Sequence, residues 1–109
     1  MDDLVKRLSD APQEVAVGGP APTTEEFQRR LTELGYVFLK FPNTRGGTDL
    51  GVRVDPSATD LTSADFLRAS GVAHVEGTLV LNEVQVRCVA DVDVGTLSGT
   101  GHVVPMLDT

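Results

Sequence analysis

The residues able to do chemistry in this chain gather in one stretch, GVAHVEGTLVLNEVQVRCVAD over residues 71–91. If Asn82 and Glu83 form its turn, Leu81 faces Val84 and the pairing runs back one position at a time. His74 then stands opposite Asp91, and Arg87 stands opposite Thr78, one step from Glu76. A carboxylate beside an imidazole fixes its tautomer and raises its basicity, so His74 and Asp91 form a candidate catalytic pair. The same pairing is also ordinary cross-strand electrostatics, worth a fraction of a kcal/mol. Glu76 and Arg87 divide the same way: they would grip a carboxylate or phenol on a ligand, or they form a surface ion pair.

Two further strands must bring the remaining candidates. Residues 36–41, YVFLKF, alternate Val37, Leu39 and Phe41 against Tyr36, Phe38 and Lys40, and residues 49–55 alternate Leu50, Val52 and Val54 against Asp49, Gly51, Arg53 and Asp55. Antiparallel pairing with matched apolar sets puts Arg53 near Tyr36 or Phe38, within reach of a cation–π contact. In the hairpin, Val75, Gly77, Leu79 and Leu81 match Ala90, Cys88, Val86 and Val84 as one apolar side. The opposite side of the sheet therefore carries Tyr36, Phe38, Arg53, His74, Glu76, Thr78, Val80, Arg87, Val89 and Asp91. Such a mixture suits a ligand-binding surface or a subunit contact.

Helices are expected at three places. Thr23 followed by Glu26 has capping-box spacing, and Gly35 supplies a terminator, so a helix should run between them with Phe27, Leu31 and Leu34 inward. A second is expected over residues 61–70 with Thr62 as cap and Phe66 and Leu67 inward, and a short one over residues 2–8. The Pro- and Gly-rich residues 11–22 read as a linker, dividing the chain into an N-terminal segment, 1–22, and a single domain, 23–109. A last strand should cover residues 102–106, after a loop over DVGTLSGTG, and because Pro105 cannot donate to a ladder it should lie at a sheet edge or finish there; His102 would share the core side with Val104 and Met106. The expected fold class is α+β, a curved antiparallel sheet of about five strands with two or three helices mainly on one face.

A length of 109 residues with 40% hydrophobic and 23% charged side chains belongs to one ordinary globular domain. The net charge of −7 argues against nucleic acid, because backbone binding draws on basic patches. Cys88 is the lone cysteine and alternates with core positions, which excludes an internal disulfide and a cysteine-rich metal site. The two histidines are far apart in sequence, so no metal is expected, and no dinucleotide fingerprint implies a cofactor. TRGGTD, residues 44–49, lacks the setting of a phosphate loop, and DPSATD, residues 55–60, reads as a capped turn and not a calcium loop.

The acidic, amphipathic N-terminus is unlike a signal peptide, and no apolar run approaches the ~20 residues of a membrane span, so a cytoplasmic location is expected. The absence of Ile and scarcity of Lys fit a GC-rich bacterial source. No motif fixes a reaction. The leading expectation is an accessory or binding protein whose mixed sheet face takes a small organic ligand or a partner protein. Two alternatives stand beside it: a cofactor-independent cyclase, isomerase or hydrolase with His74 as base, and a homodimer joined through that face.

Overall fold

The computed structural model describes residues 8–9, 12–19, 23–42, 48–81 and 83–106. Its longest elements are β5 (Ser70–Leu81) and β6 (Val84–Asp93), whose ladder of ten pairs runs from Leu81↔Val84 to Val72↔Asp93 in the register that face-matching requires. Glu83 meets the turn with a positive φ of 69°, while Asn82 lies outside the described residues. β7 (Ser98–Pro105) continues the meander against β6, and β1 (Gln13–Val17) pairs with β7 on its other side. β2 (Tyr36–Phe41) then joins β1, and β3 (Thr48–Val54) joins β2. Finally β3 returns to β5 through Arg53↔Thr78 and Val54↔Gly77. The six strands thus close into an antiparallel barrel, which removes both sheet edges.

The α+β expectation is corrected by this closure. Beside the barrel stands a short helix, α1 (Thr24–Arg29), which extends through a π-helical turn over Arg30–Leu34. Its start is as expected: the Thr23 hydroxyl accepts from the Glu26 N–H at 3.1 Å, and Gly35 ends it with φ 66°. It packs at the barrel end that carries the β6–β7 turn, where the Thr24 hydroxyl donates to the Val94 carbonyl and Phe27 meets Phe66 at 6.3 Å. Phe27 and Leu31 are buried, but Leu34 is exposed.

The helix expected over residues 61–70 does not form. Asp60 Oδ1 accepts from the Thr62 N–H and hydroxyl, and Asp65 Oδ1 accepts from the Arg68 N–H. Such local bonds offer the backbone an alternative to the helix. The segment makes the two-residue strand β4 (Ala64–Asp65), paired to the start of β5, and a turn in which Ala69 has φ 51°. Leu67, expected inward, is 99% exposed.

The supposed linker is also corrected, because Gln13–Val17 is a barrel strand with Val15 and Val17 inside. Pro12 and Gly18–Gly19 bound it without interrupting it. The helix expected over residues 2–8 falls almost wholly outside the described residues; Leu8 itself is fully buried. Much of the expected DVGTLSGTG loop is strand, with turn only at residues 94–97. β7 lies between two neighbours and ends at Pro105, and it buries Gly101 and Val103, so His102 and Val104 face outward, not into the core. The barrel interior is filled by Val37, Leu39, Phe41, Val52, Val75 and Val86, with the small residues Ala73, Cys88 and Ala90 fitted among them.

Candidate functional site

The barrel turns the expected mixed face to its outside. Across it run cross-strand rows: Tyr36 beside Arg53, Arg53 beside Thr78, Thr78 beside Arg87 and Arg87 beside Val104. A second row brings Glu76 beside Val89 and Val89 beside His102; a third brings His74 beside Asp91 and Asp91 beside Thr100. Six of the seven candidates stand in these rows, and Phe38, opposite Gly51, shares the Tyr36 side of β2; they separate into two groups with different chemistry.

The first group is a closed ionic chain. His74 Nδ1 donates to Asp91 Oδ1 at 2.7 Å and His74 Nε2 donates to Glu76 Oε2 at 2.7 Å. Ionised carboxylates cannot donate in return, so both contacts are satisfied together only when each ring nitrogen carries a proton, and the geometry favours the imidazolium form of His74. The hydrogen bonds from Glu76 and Asp91 accordingly raise its pKa above the ordinary 6.5. Glu76 Oε1 accepts from Arg87 Nε at 3.0 Å, and Arg87 Nη2 donates to Asp55 Oδ2 at 3.0 Å. The bonds from His74 and Arg87 hold the Glu76 carboxyl below its ordinary value. Asp55 is held low first by the Ser57 hydroxyl and then by Arg87. Both nitrogens of His74 face carboxylates, and Arg87 has two carboxylates already. Asp55 was missed from sequence because it enters from the turn after β3.

The second group is open. Tyr36, Gly51, Arg53, Thr78, Leu79, Val80 and Gln85 line a surface groove of about 410 Å³. Tyr36 lies across Gly51: a Cβ there would overlap its hydroxyl and stand 2.6 Å from its Cζ. A strand glycine often marks such a close approach, which is the signal that could have found it. Phe38 meets Tyr36 edge-on at 5.4 Å, yet the cation over Phe38 is Arg30, at 5.0 Å, and not Arg53. Among the described residues no ion pair or side-chain hydrogen bond engages Arg53, which is exposed beside Tyr36 and the 68% exposed Val80. Gln85 and Leu79 were not singled out from sequence, since only the β3–β5 closure brings them beside Arg53.

Other candidates stay structural. Asp55 and Asp60 cap local turns in DPSATD. Most of TRGGTD lies outside the described residues. Among the described residues no group of three or more His, Cys, Asp or Glu is placed to hold a metal ion, and no helix is long and apolar enough to cross a membrane. Cys88 is buried, and burial pushes its thiol up to about 12. No protein-family model matches the chain, and comparison with curated proteins found no match.

Proposed function

We propose that this protein is a small cytoplasmic binding module whose outer-face groove takes an organic molecule with a flat apolar body and an anionic end. The observation carrying this reading is Arg53, a guanidinium without an ion pair among the described residues, set between Tyr36 and Val80. An unpaired guanidinium offers a fork that matches a carboxylate, and the aromatic and aliphatic neighbours offer apolar contact. The acidic charge of the whole chain is screened beyond about 8 Å at physiological salt, so the local guanidinium decides the preference. The enzymatic alternative needs a His74 nitrogen turned toward a substrate, whereas both ring nitrogens face carboxylate oxygens at 2.7 Å.

Thermal shift with 2-naphthoate tests the reading. A ligand that binds only the folded state raises the melting temperature with concentration. The rise should vanish in Arg53→Ala and weaken with uncharged 2-naphthol. No rise with wild type at millimolar naphthoate, or an equal rise in Arg53→Ala, contradicts the proposal.

A dimeric reading has its own support in Val80, Val104 and Met106, which are 68%, 45% and 43% exposed. Met106 donates its N–H to the Gln85 carbonyl, placing it next to the groove. Sedimentation separates the readings: a concentration-dependent mass lost in Val80→Asp supports association, and a monomer at high concentration removes it.

A further inference from the structure

The barrel is held unevenly. β5 and β6 share ten residue pairs and β6 and β7 share eight, whereas the β3–β5 seam that completes the circle has two, as does the β1–β2 ladder. Past Val54 the backbone adds the bond from the Asp55 N–H to the Glu76 carbonyl, 2.8 Å, and the mutual bonds of Asp60 and His74, 2.8 and 3.0 Å. The Thr59 hydroxyl bridges the N–H and carbonyl of Glu76. Side chains do the rest: Asp55, Arg87, Glu76, His74 and Asp91 alternate in charge and link the end of β3 to β5 and β6.

We infer that this chain of five is a proton-operated clasp on the β3–β5 seam, tight while His74 is protonated and slack when it is not. When the imidazolium loses a proton, one ring nitrogen turns a lone pair toward a carboxylate oxygen 2.7 Å away. Either Glu76 or Asp91 must swing clear, and movement of Glu76 withdraws one of the two partners that fix Arg87. The charged groups around His74 are Glu76 on its own strand, Asp91 and Arg87 from β6, and Asp55 and Asp60 from the segment after β3. From the far side, Thr100 of β7 stands beside Asp91 with Glu14 of β1 beyond it, and His102 stands beside Val89. Among the clasp's own members His74 alone titrates near neutrality. His74 is 33% exposed, so the proton exchanges freely with solvent. The clasp does not depend on the groove being a ligand site, although Arg53 and Thr78 belong to both the seam and the groove.

Native-state hydrogen exchange of the full chain, corrected for intrinsic base catalysis, tests the clasp at about pH 5.5 and about pH 8.5, either side of the histidine range. The opening constants at the Asp55, Asp60 and Glu76 amides should rise by about threefold to tenfold at the higher pH. That is the loss expected of one partly exposed charge-assisted hydrogen bond. Amides of the β6–β7 ladder should not follow. His74→Gln should remove the pH step, and Asp91→Asn should lower the midpoint of the His74 ring signals in a proton NMR titration. A step that persists in His74→Gln, a response spread evenly over the barrel, or a His74 midpoint that Asp91→Asn does not move would each overturn the proposal.

Discussion

Replacing Gly77 with alanine should unfasten the barrel at its seam. Gly77 is buried on β5 opposite Val54, and a Cβ added there would overlap the Arg53 carbonyl oxygen and stand 2.6 Å from Val52 Cγ1. Overpacking of this kind costs about 1–3 kcal/mol where side chains can yield. Here the atom met is a backbone carbonyl oxygen, which cannot turn aside as a side chain can, so the upper half of that range applies. For a domain of this length each kcal/mol lowers the melting temperature by about 4–8 °C, so a fall on the order of 10 °C or more is expected. Gly101→Ala is the milder control, because its Cβ would come no closer than 3.0 Å to Val15 Cγ1, Ala90 Cβ or the Val89 carbonyl oxygen. Thermal unfolding followed by circular dichroism reads both variants, and hydrogen exchange of β3 amides shows where the damage falls. Gly77→Ala matching the wild type in melting temperature and in β3 protection would refute the closure through Val54 and Gly77.

Three further outcomes follow from the same packing. Phe27→Ala empties a fully buried position between the barrel end and Phe66, and should cost about 3–5 kcal/mol in urea unfolding. Cys88 should resist a thiol reagent in the folded protein and react once per chain in denaturant, since burial holds its thiol up at about 12. Stability should also show a plateau in pH. Glu76, Asp55 and Asp60 are held below their ordinary values of 4.5, 3.8 and 3.8, so their contribution is complete above those values and is lost as pH falls through the lower folded ones. His74 is raised, so its contribution is complete below 6.5 and is lost as pH climbs through the higher folded value. The melting temperature should therefore be highest between about pH 4.5 and 6.5.

What could be read from the sequence was local. Leu81 facing Val84 fixed the β5–β6 register, and with it His74 opposite Asp91, because a one-residue slip would mismatch the apolar sides. Thr23 and Gly35 marked the helix for the same reason: capping depends on neighbours in sequence. Closure depends on distant residues, and neither Val54 nor Gly77 announces a partner. QEVAV was too short to outweigh the prolines and glycines around it, and the aspartates of residues 60–65 bonded locally where a helix was expected. The His74–Asp91 pair was visible, but its meaning changed with Glu76, two residues along the same strand, which takes the second ring nitrogen.

The groove is tested most directly by a two-dimensional NMR titration of the isotope-labelled protein with 2-naphthoate. The amides of Tyr36, Gly51, Arg53, Thr78, Leu79, Val80 and Gln85 should shift together in one saturable curve, and those of the β1–β7 ladder should stay in place. Shifts centred elsewhere on the barrel, or none up to the solubility of the probe, would contradict it.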